Sequence, residues 1–215
     1  MKAESRPAAL PPAERTVGQL VAESIRTYGE RFLRCLALGI PPAALALVTA
    51  HVSRNVALLL APTLYGAALS VSYVAACVLV LERRPANRRL VLAWAAGWLV
   101  FAPVPFLVLA FVLPGVAWLA AVGLVVPVLV VEETPMRKAF ARAWQLARAG
   151  FVHAFGSLAT LAIVVFLTQT VLAFLLRGAA GTAASTAFVL ANVVISPLLF
   201  VGAALLYVDQ AARVE

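Results

Sequence analysis

Apolar and polar positions change pattern several times along this chain. Residues 1–15 (MKAESRPAALPPAER) mix Ala, Pro and charge without a period and predict a flexible tail. From Thr16 the period becomes helical. Thr16 and Gln19 have the spacing of a capping box. At about 100° per residue, Val17, Leu20, Val21, Ile25, Tyr28 and Phe32 share one face, opposite Gln19, Glu23, Arg26 and Glu30. This predicts an amphipathic helix over 16–31 that is too polar to span a bilayer.

Long apolar runs follow. Residues 32–50 form the first, with Arg34 placed to snorkel to the interface, and residues 56–81 the second. In the second run Gly66 and Ser70, and Ala68, Ser72 and Ala76, set small residues at four-residue spacing, which suits close helix packing. Leu90 to Val131 is 42 residues without a charge, about twice the length one spanning helix needs, so it must fold back. Leu113-Pro114-Gly115 is the favoured turn and gives spans over 90–112 and 116–131. Two more spans are predicted over 151–176 and 183–208. Between the fourth and fifth, residues 135–148 form a second amphipathic helix. There Ala139, Phe140, Ala143, Trp144, Leu146 and Ala147 lie opposite Arg137, Lys138, Arg142 and Arg148. The two amphipathic segments align at an offset of 119, Ile25 with Trp144 and Phe32 with Phe151, and each precedes two spans, the pattern of a weak internal duplication.

The expectation is thus an all-α integral membrane protein with six transmembrane helices and two amphipathic helices in a single membrane domain over 16–215. Composition agrees: 64% of residues are hydrophobic and 12% charged, against about 45–50% and 25% in soluble domains. The net charge of +8 does not point to nucleic acid, because the basic residues lie in short segments between apolar runs. Fifteen of the 17 Lys and Arg fall in the N-terminal segment through Arg34, in 82–89, in 132–150 or after Val208, and only Arg54 and Arg177 lie on the other side. That asymmetry places both termini in the cytoplasm, with the chain in a bacterial plasma (inner) membrane and its basic segments facing anionic headgroups. A secretory cleavage site at Val48-Thr49-Ala50 is the competing reading, and the long polar region ahead of the run argues against it.

Candidate chemistry is sparse. Cys35 and Cys77 lie inside apolar runs and read as packing residues. His51 and His153 fall at opposite membrane faces, no hydrolase or metalloprotease motif occurs, and no span carries an acid in its middle. No catalytic residue, metal site or cofactor is expected. Gln169 and Asn192 sit at similar heights on consecutive spans, which predicts an interhelical hydrogen bond, with Ser196 one turn from Asn192. Pro41, Pro42, Pro103 and Pro197 fall near mid-membrane, where each would free a backbone carbonyl four residues earlier. Arg137, Lys138, Arg142 and Arg148 are the expected headgroup-binding or partner-binding face.

Two segments carry a resemblance. The run from Val125 to Leu158, with PVLVVEETPMRKAFARAWQLARAGFVHAFGSL at its core, and the ending PLLFVGAALLYVDQAARVE resemble the membrane domain found on some bacterial glycerophosphoryl diester phosphodiesterases and on many stand-alone bacterial proteins. The family's Pro and Glu closing one span, then an Ala-rich helix with Trp and Leu, correspond here to Pro127, Glu132 or Glu133, Ala139, Trp144 and Leu146. Its closing pattern is similar to Tyr207, Asp209, Arg213 and Glu215 after Pro197. Ala143 departs from a frequent Ser and Ala211 from a usual Arg. The resemblance covers roughly residues 16 to 215 and implies a six-helix membrane module. It does not imply phosphodiesterase activity, which in the two-part enzymes belongs to a separate soluble barrel with metal-binding acids that this sequence lacks.

The function expected is that of a non-catalytic membrane scaffold or accessory module for a protein partner on the cytoplasmic side, within a lipid-related setting. The alternative is a small transporter or channel for a lipid-like or amphipathic solute, built on the proline-broken midplane.

Overall fold

A computed structural model of the protein describes residues 11–49, 53, 56, 61–175 and 182–214. The described residues are 87% helical, with no strand among them. A turn of 3-10 helix over Pro12–Glu14 precedes α1 (Val17–Glu30), α2 (Phe32–Leu38) and α3 (Ile40–Thr49). A π-helical turn over Ala61–Tyr65 leads into α4 (Gly66–Leu81). Then come α5 (Asn87–Phe101), α6 (Val104–Ala110), α7 (Val112–Val122), α8 (Val125–Val131), α9 (Met136–Ala149), α10 (Phe151–Leu175) and α11 (Thr182–Ala212).

Among the described residues five helical stretches are long and apolar enough to cross a membrane: Pro62–Leu81, Asn87–Val108, Val112–Val131, Phe151–Leu172 and Val189–Ala212. The outer face of α10 shows what surrounds them. Ile163, Phe166, Leu167, Phe174 and Leu175 are each at least 59% exposed along one helical stripe, a surface tolerable in lipid and not in water. This is a multi-pass membrane protein.

The expected first span departs from prediction. Its apolar helix runs only over Phe32–Leu47 and is interrupted. α2 stops at Gly39, whose N–H turns back to Leu36 O at 3.0 Å, and α3 restarts with Pro41 and Pro42 in its first turn. Prolines are tolerated there because first-turn N–H groups have no intrahelical partner to lose. The two prolines therefore begin a helix and do not kink one. Gly39 itself is a contact. A Cβ added to it would fall within 2.7 Å of the Val193 carbonyl carbon and would collide with the carbonyl oxygen.

The fold-back of the long apolar run also differs. The break falls at Phe111, in extended conformation (φ −160°, ψ 146°), and Leu113-Pro114-Gly115 lies inside the first turns of α7. Pro114 is again accommodated near a helix start. Pro103 separates α5 from α6, its carbonyl accepting Phe106 and Leu107 N–H groups, both at 3.1 Å. Of the four prolines singled out, Pro197 alone lies in a helix interior.

The helix α8 sits at the centre, with Val125, Val126, Val128, Leu129 and Val130 at most 1% exposed, packed by α4, α5, α9 and α11. Small residues set the α4–α5 distance as their spacing predicted. The Ser70 hydroxyl donates to Trp94 O at 2.6 Å, and Gly66 faces Trp98 and Ala102. Indole donors add to this contact, Trp94 to Ala67 O (3.3 Å) and Trp98 to Thr63 O (3.1 Å).

The two helices expected to be amphipathic, α1 and α9, pack on protein through narrow faces. In α1 the Thr16–Gln19 capping box forms in full, while Leu20 and Ser24 are the fully buried positions. The Ser24 hydroxyl is satisfied by Leu20 O at 2.7 Å, which lets α1 approach α11 and α10. Ile25 and Phe32, assigned to the same apolar face, stay 53% and 43% exposed. In α9 the buried positions are Ala139, Ala143, Leu146 and Ala147. The offset of 119 relates the bounds of α1 to those of α9, and the start of α2 at Phe32 to that of α10 at Phe151.

The Gly39 contact yields a test. Gly39→Ala is expected to cost about 1–3 kcal/mol, because the obstruction is backbone and cannot turn aside. Gly18→Ala in α1, with no atom within 4 Å of the added Cβ, is expected to be neutral or stabilising by up to about 1 kcal/mol. Thermal unfolding of both variants in mild detergent checks the contrast.

Candidate functional site

The polar side chains that connect distant parts of the chain gather at one end of the bundle, around the last two turns of α11. Tyr207, Asp209, Gln210 and Arg213 each engage a different segment. The Tyr207 hydroxyl donates to Glu132 Oε1 at 3.2 Å, and Glu132 also receives Arg142 Nε of α9 at 3.4 Å. Asp209 Oδ1 accepts Arg15 Nη1 at 3.1 Å. Asp209 Oδ2 lies 3.7 Å from His153 Nε2, in the first turn of α10. Gln210 donates to Gly150 O at 3.2 Å, and Arg213 donates to Arg15 O at 3.0 Å.

The Asp209 side chain has no exposed surface, and its partners Arg15 and His153 are 15% and 12% exposed. A carboxylate so enclosed is held in its charged form only by charge and hydrogen bonds supplied from the protein. Arg15 supplies both, and Arg213 adds a second guanidinium close by. Gly150 lets the cluster close, since a Cβ there would stand 2.9 Å from Gln210 Oε1. Ser157, one turn beyond His153, is fully buried without a partner among the described residues, so its hydroxyl is closed to any solute that does not first open the bundle. Among the described residues no three His, Cys, Asp or Glu side chains come together as a metal site would require. The geometry is that of a clasp. It joins the N-terminal segment, the end of α8, α9, the start of α10 and the end of α11.

The expected flexible tail does not extend over residues 11–15. Residues 11–15 are ordered by the turn at Pro12–Glu14 and by Arg15 on Asp209, while residues 1–10 lie outside the described residues.

The other predicted site residues are placed as follows. Gln169 Nε2 donates to Asn192 Oδ1 at 3.1 Å, at the opposite end of the α10–α11 hairpin. Ser196 keeps a buried hydroxyl without a partner among the described residues. The four basic residues of α9 are not one uniform face. Arg142 turns inward to Glu132, Arg148 stacks over Trp144 with its Cζ 4.9 Å from the ring centroid, and Arg137 and Lys138 are exposed. Pro42 and Pro197 are buried, and Pro41 and Pro103 half-buried. The carbonyl that Pro197 frees, Val193 O, faces Gly39 in a helix contact, and Val194 O accepts the Tyr28 hydroxyl at 2.7 Å. His51 lies outside the described residues.

Sequence reasoning missed Asp209 as a hub. Its partner Arg15 is 194 residues away and lies in a segment with no periodicity. The available signal was an Asp and a Gln continuing directly from the apolar run of the last helix. No protein-family model, no curated protein and no solved structure matches the chain. Glu132, Tyr207, Asp209 and Arg213, four of the residues that carry the resemblance drawn from the sequence, meet in this clasp.

The clasp predicts non-additive mutational costs. Arg15→Gln is expected to cost about 3–5 kcal/mol, because it leaves a buried carboxylate short of its main partner. Arg15→Gln with Asp209→Asn is expected to cost less than the two single substitutions together, since the uncharged pair strands no charge. Chemical denaturation in detergent measures the coupling, and additive costs would show that the pair does not act as a unit.

Proposed function

We propose that this chain is a non-catalytic membrane scaffold or accessory module that presents α9 to a protein partner on the cytoplasmic side of a bacterial plasma membrane. The observation that carries the reading is how α9 is held. Its small-residue face is sunk into the bundle and Arg142 is anchored on Glu132. Arg137, Lys138 and the Trp144–Arg148 stack are left exposed on a rigid backing. A pre-organised basic and aromatic surface loses little entropy on binding and offers the residue types that anchor interfaces. The proline-freed backbone gives less support to the transport reading, because Val193 O, the carbonyl freed by Pro197, is packed against Gly39. Six passages with both ends inside remain part of the proposal, and the charge asymmetry of the loops supports them.

Two measurements test it. A photo-crosslinking side chain at Ala141, exposed on α9, is expected to give a discrete protein adduct in cells that Arg137→Glu with Lys138→Glu abolishes at unchanged membrane abundance. The same probe at lipid-facing Phe166 is expected to give none. Gln145→Cys is expected to resist an impermeant thiol reagent in intact cells while Ser53→Cys reacts. The native Cys35 and Cys77 are fully buried and can stay in place. Labelling of Gln145→Cys from outside, or an adduct at Ala141 indifferent to charge reversal, would overturn the proposal.

A further inference from the structure

A groove of about 690 Å³ opens sideways between α2, α4 and α5 at the same end of the bundle as the clasp. Its walls are apolar, formed by Leu38, Val71, Val74, Val78, Leu90 and Trp94 among others, and Arg34 and Arg84 stand at its rim. A second hollow of about 440 Å³ shares Arg34, Arg84, Val78 and Leu79 with the first and adds Arg31, Glu82 and Arg83. The mouth therefore holds four guanidinium groups and one carboxylate. The carboxylate is already used, since Glu82 pairs with Arg31, which also donates to Leu79 O. No ion pair among the described residues reaches Arg34, Arg83 or Arg84.

We infer that this groove binds an anionic glycerophospholipid of the surrounding leaflet, with the phosphate at Arg34 and Arg84 and an acyl chain along α4. Three features carry the assignment. The charge left over at the mouth is positive and presented by guanidinium groups, which match phosphate oxygens in forked geometry. The groove follows α4 from Leu79 down to Val71, about 12 Å at 1.5 Å per residue, close to the depth of one leaflet's hydrocarbon at about 15 Å. It is open on the side where lipid lies, with Val71 47%, Val91 62% and Trp94 37% exposed. A basic pocket between spanning helices recognises lipid phosphate by this combination of charge and depth. Arg34 and Arg84 take no part in α9 or the clasp, so the site is independent of the proposed scaffold role.

Trp94 in the wall supplies the readout. Protein reconstituted in phosphatidylcholine vesicles is titrated with phosphatidylglycerol brominated in its acyl chains, and separately with brominated phosphatidylcholine. The Trp94 contribution is taken as wild type minus Trp94→Phe. Quenching by the anionic lipid is expected to exceed quenching by the zwitterionic lipid by on the order of tenfold at low mole fraction. Arg34→Gln with Arg84→Gln is expected to abolish the preference, both positions being exposed and free of packing roles. Arg137→Gln with Lys138→Gln is expected to leave it intact, and added glycerol phosphate is expected not to compete. Equal quenching by the two lipids, or equal loss in the Arg137 and Lys138 control, would overturn the site. Displacement by glycerol phosphate would overturn the lipid assignment in favour of a soluble phosphate ligand.

Discussion

A carboxylate with no exposed surface, Asp209, stands where the segment around Arg15, the end of α11 and the start of α10 meet, and the architecture of the basic end depends on keeping it paired. In lipid the hydrophobic effect does not drive helices together, so packing shape and polar contacts must fix their arrangement. Asp209 does this across 194 residues through Arg15. Glu132 repeats the device between Tyr207 and Arg142. With Asp209 paired through Oδ1 and Glu132 through Oε1, α1 and α9 are braced parts of the bundle. Without them α1 would rest on Leu20, Val21 and Tyr28 and α9 on Ala139, Phe140, Ala143 and Leu146.

That bracing separates two basic surfaces that composition alone merges. On one side α9 carries Arg137 and Lys138 outward on a backing fixed by Arg142 and the alanines beneath it. On the other, α2, α4 and α5 leave an apolar groove rimmed by Arg34 and Arg84. The first is the surface proposed for a macromolecule in water and the second the one proposed for a molecule already in the membrane. A net charge of +8 is thus divided among structural pairs, an exposed platform and a groove mouth.

What was legible in the sequence was what local chemistry decides. The Thr16–Gln19 capping box, the Gly66 and Ser70 contact and the Gln169–Asn192 hydrogen bond all rest on spacings within one helix or one hairpin. Helix interruptions were placed approximately. Pro41, Pro42, Pro103 and Pro114 mark breaks, but the breaks fall at Gly39, Ala102-Pro103 and Phe111, because proline begins a helix more readily than it interrupts one. The first apolar run reads as a full span by composition and forms two short helices in which the stop at Gly39 serves a crossing with α11. The clasp was out of reach, since no periodicity links Arg15 to Asp209 or Glu132 to Tyr207. The resemblance drew attention to the acidic and aromatic members without indicating that they touch.

The central claim is that Asp209 makes α1 part of the rigid bundle, and amide hydrogen exchange in nanodiscs tests it most directly. The account predicts that the amides of Leu20–Ser24 exchange as slowly as those of α4. It further predicts that Asp209→Asn accelerates exchange over residues 16–24 by on the order of a hundredfold, with α4 unchanged. Rapid exchange of α1 in the unaltered protein, or protection of residues 16–24 indifferent to Asp209→Asn, would contradict it.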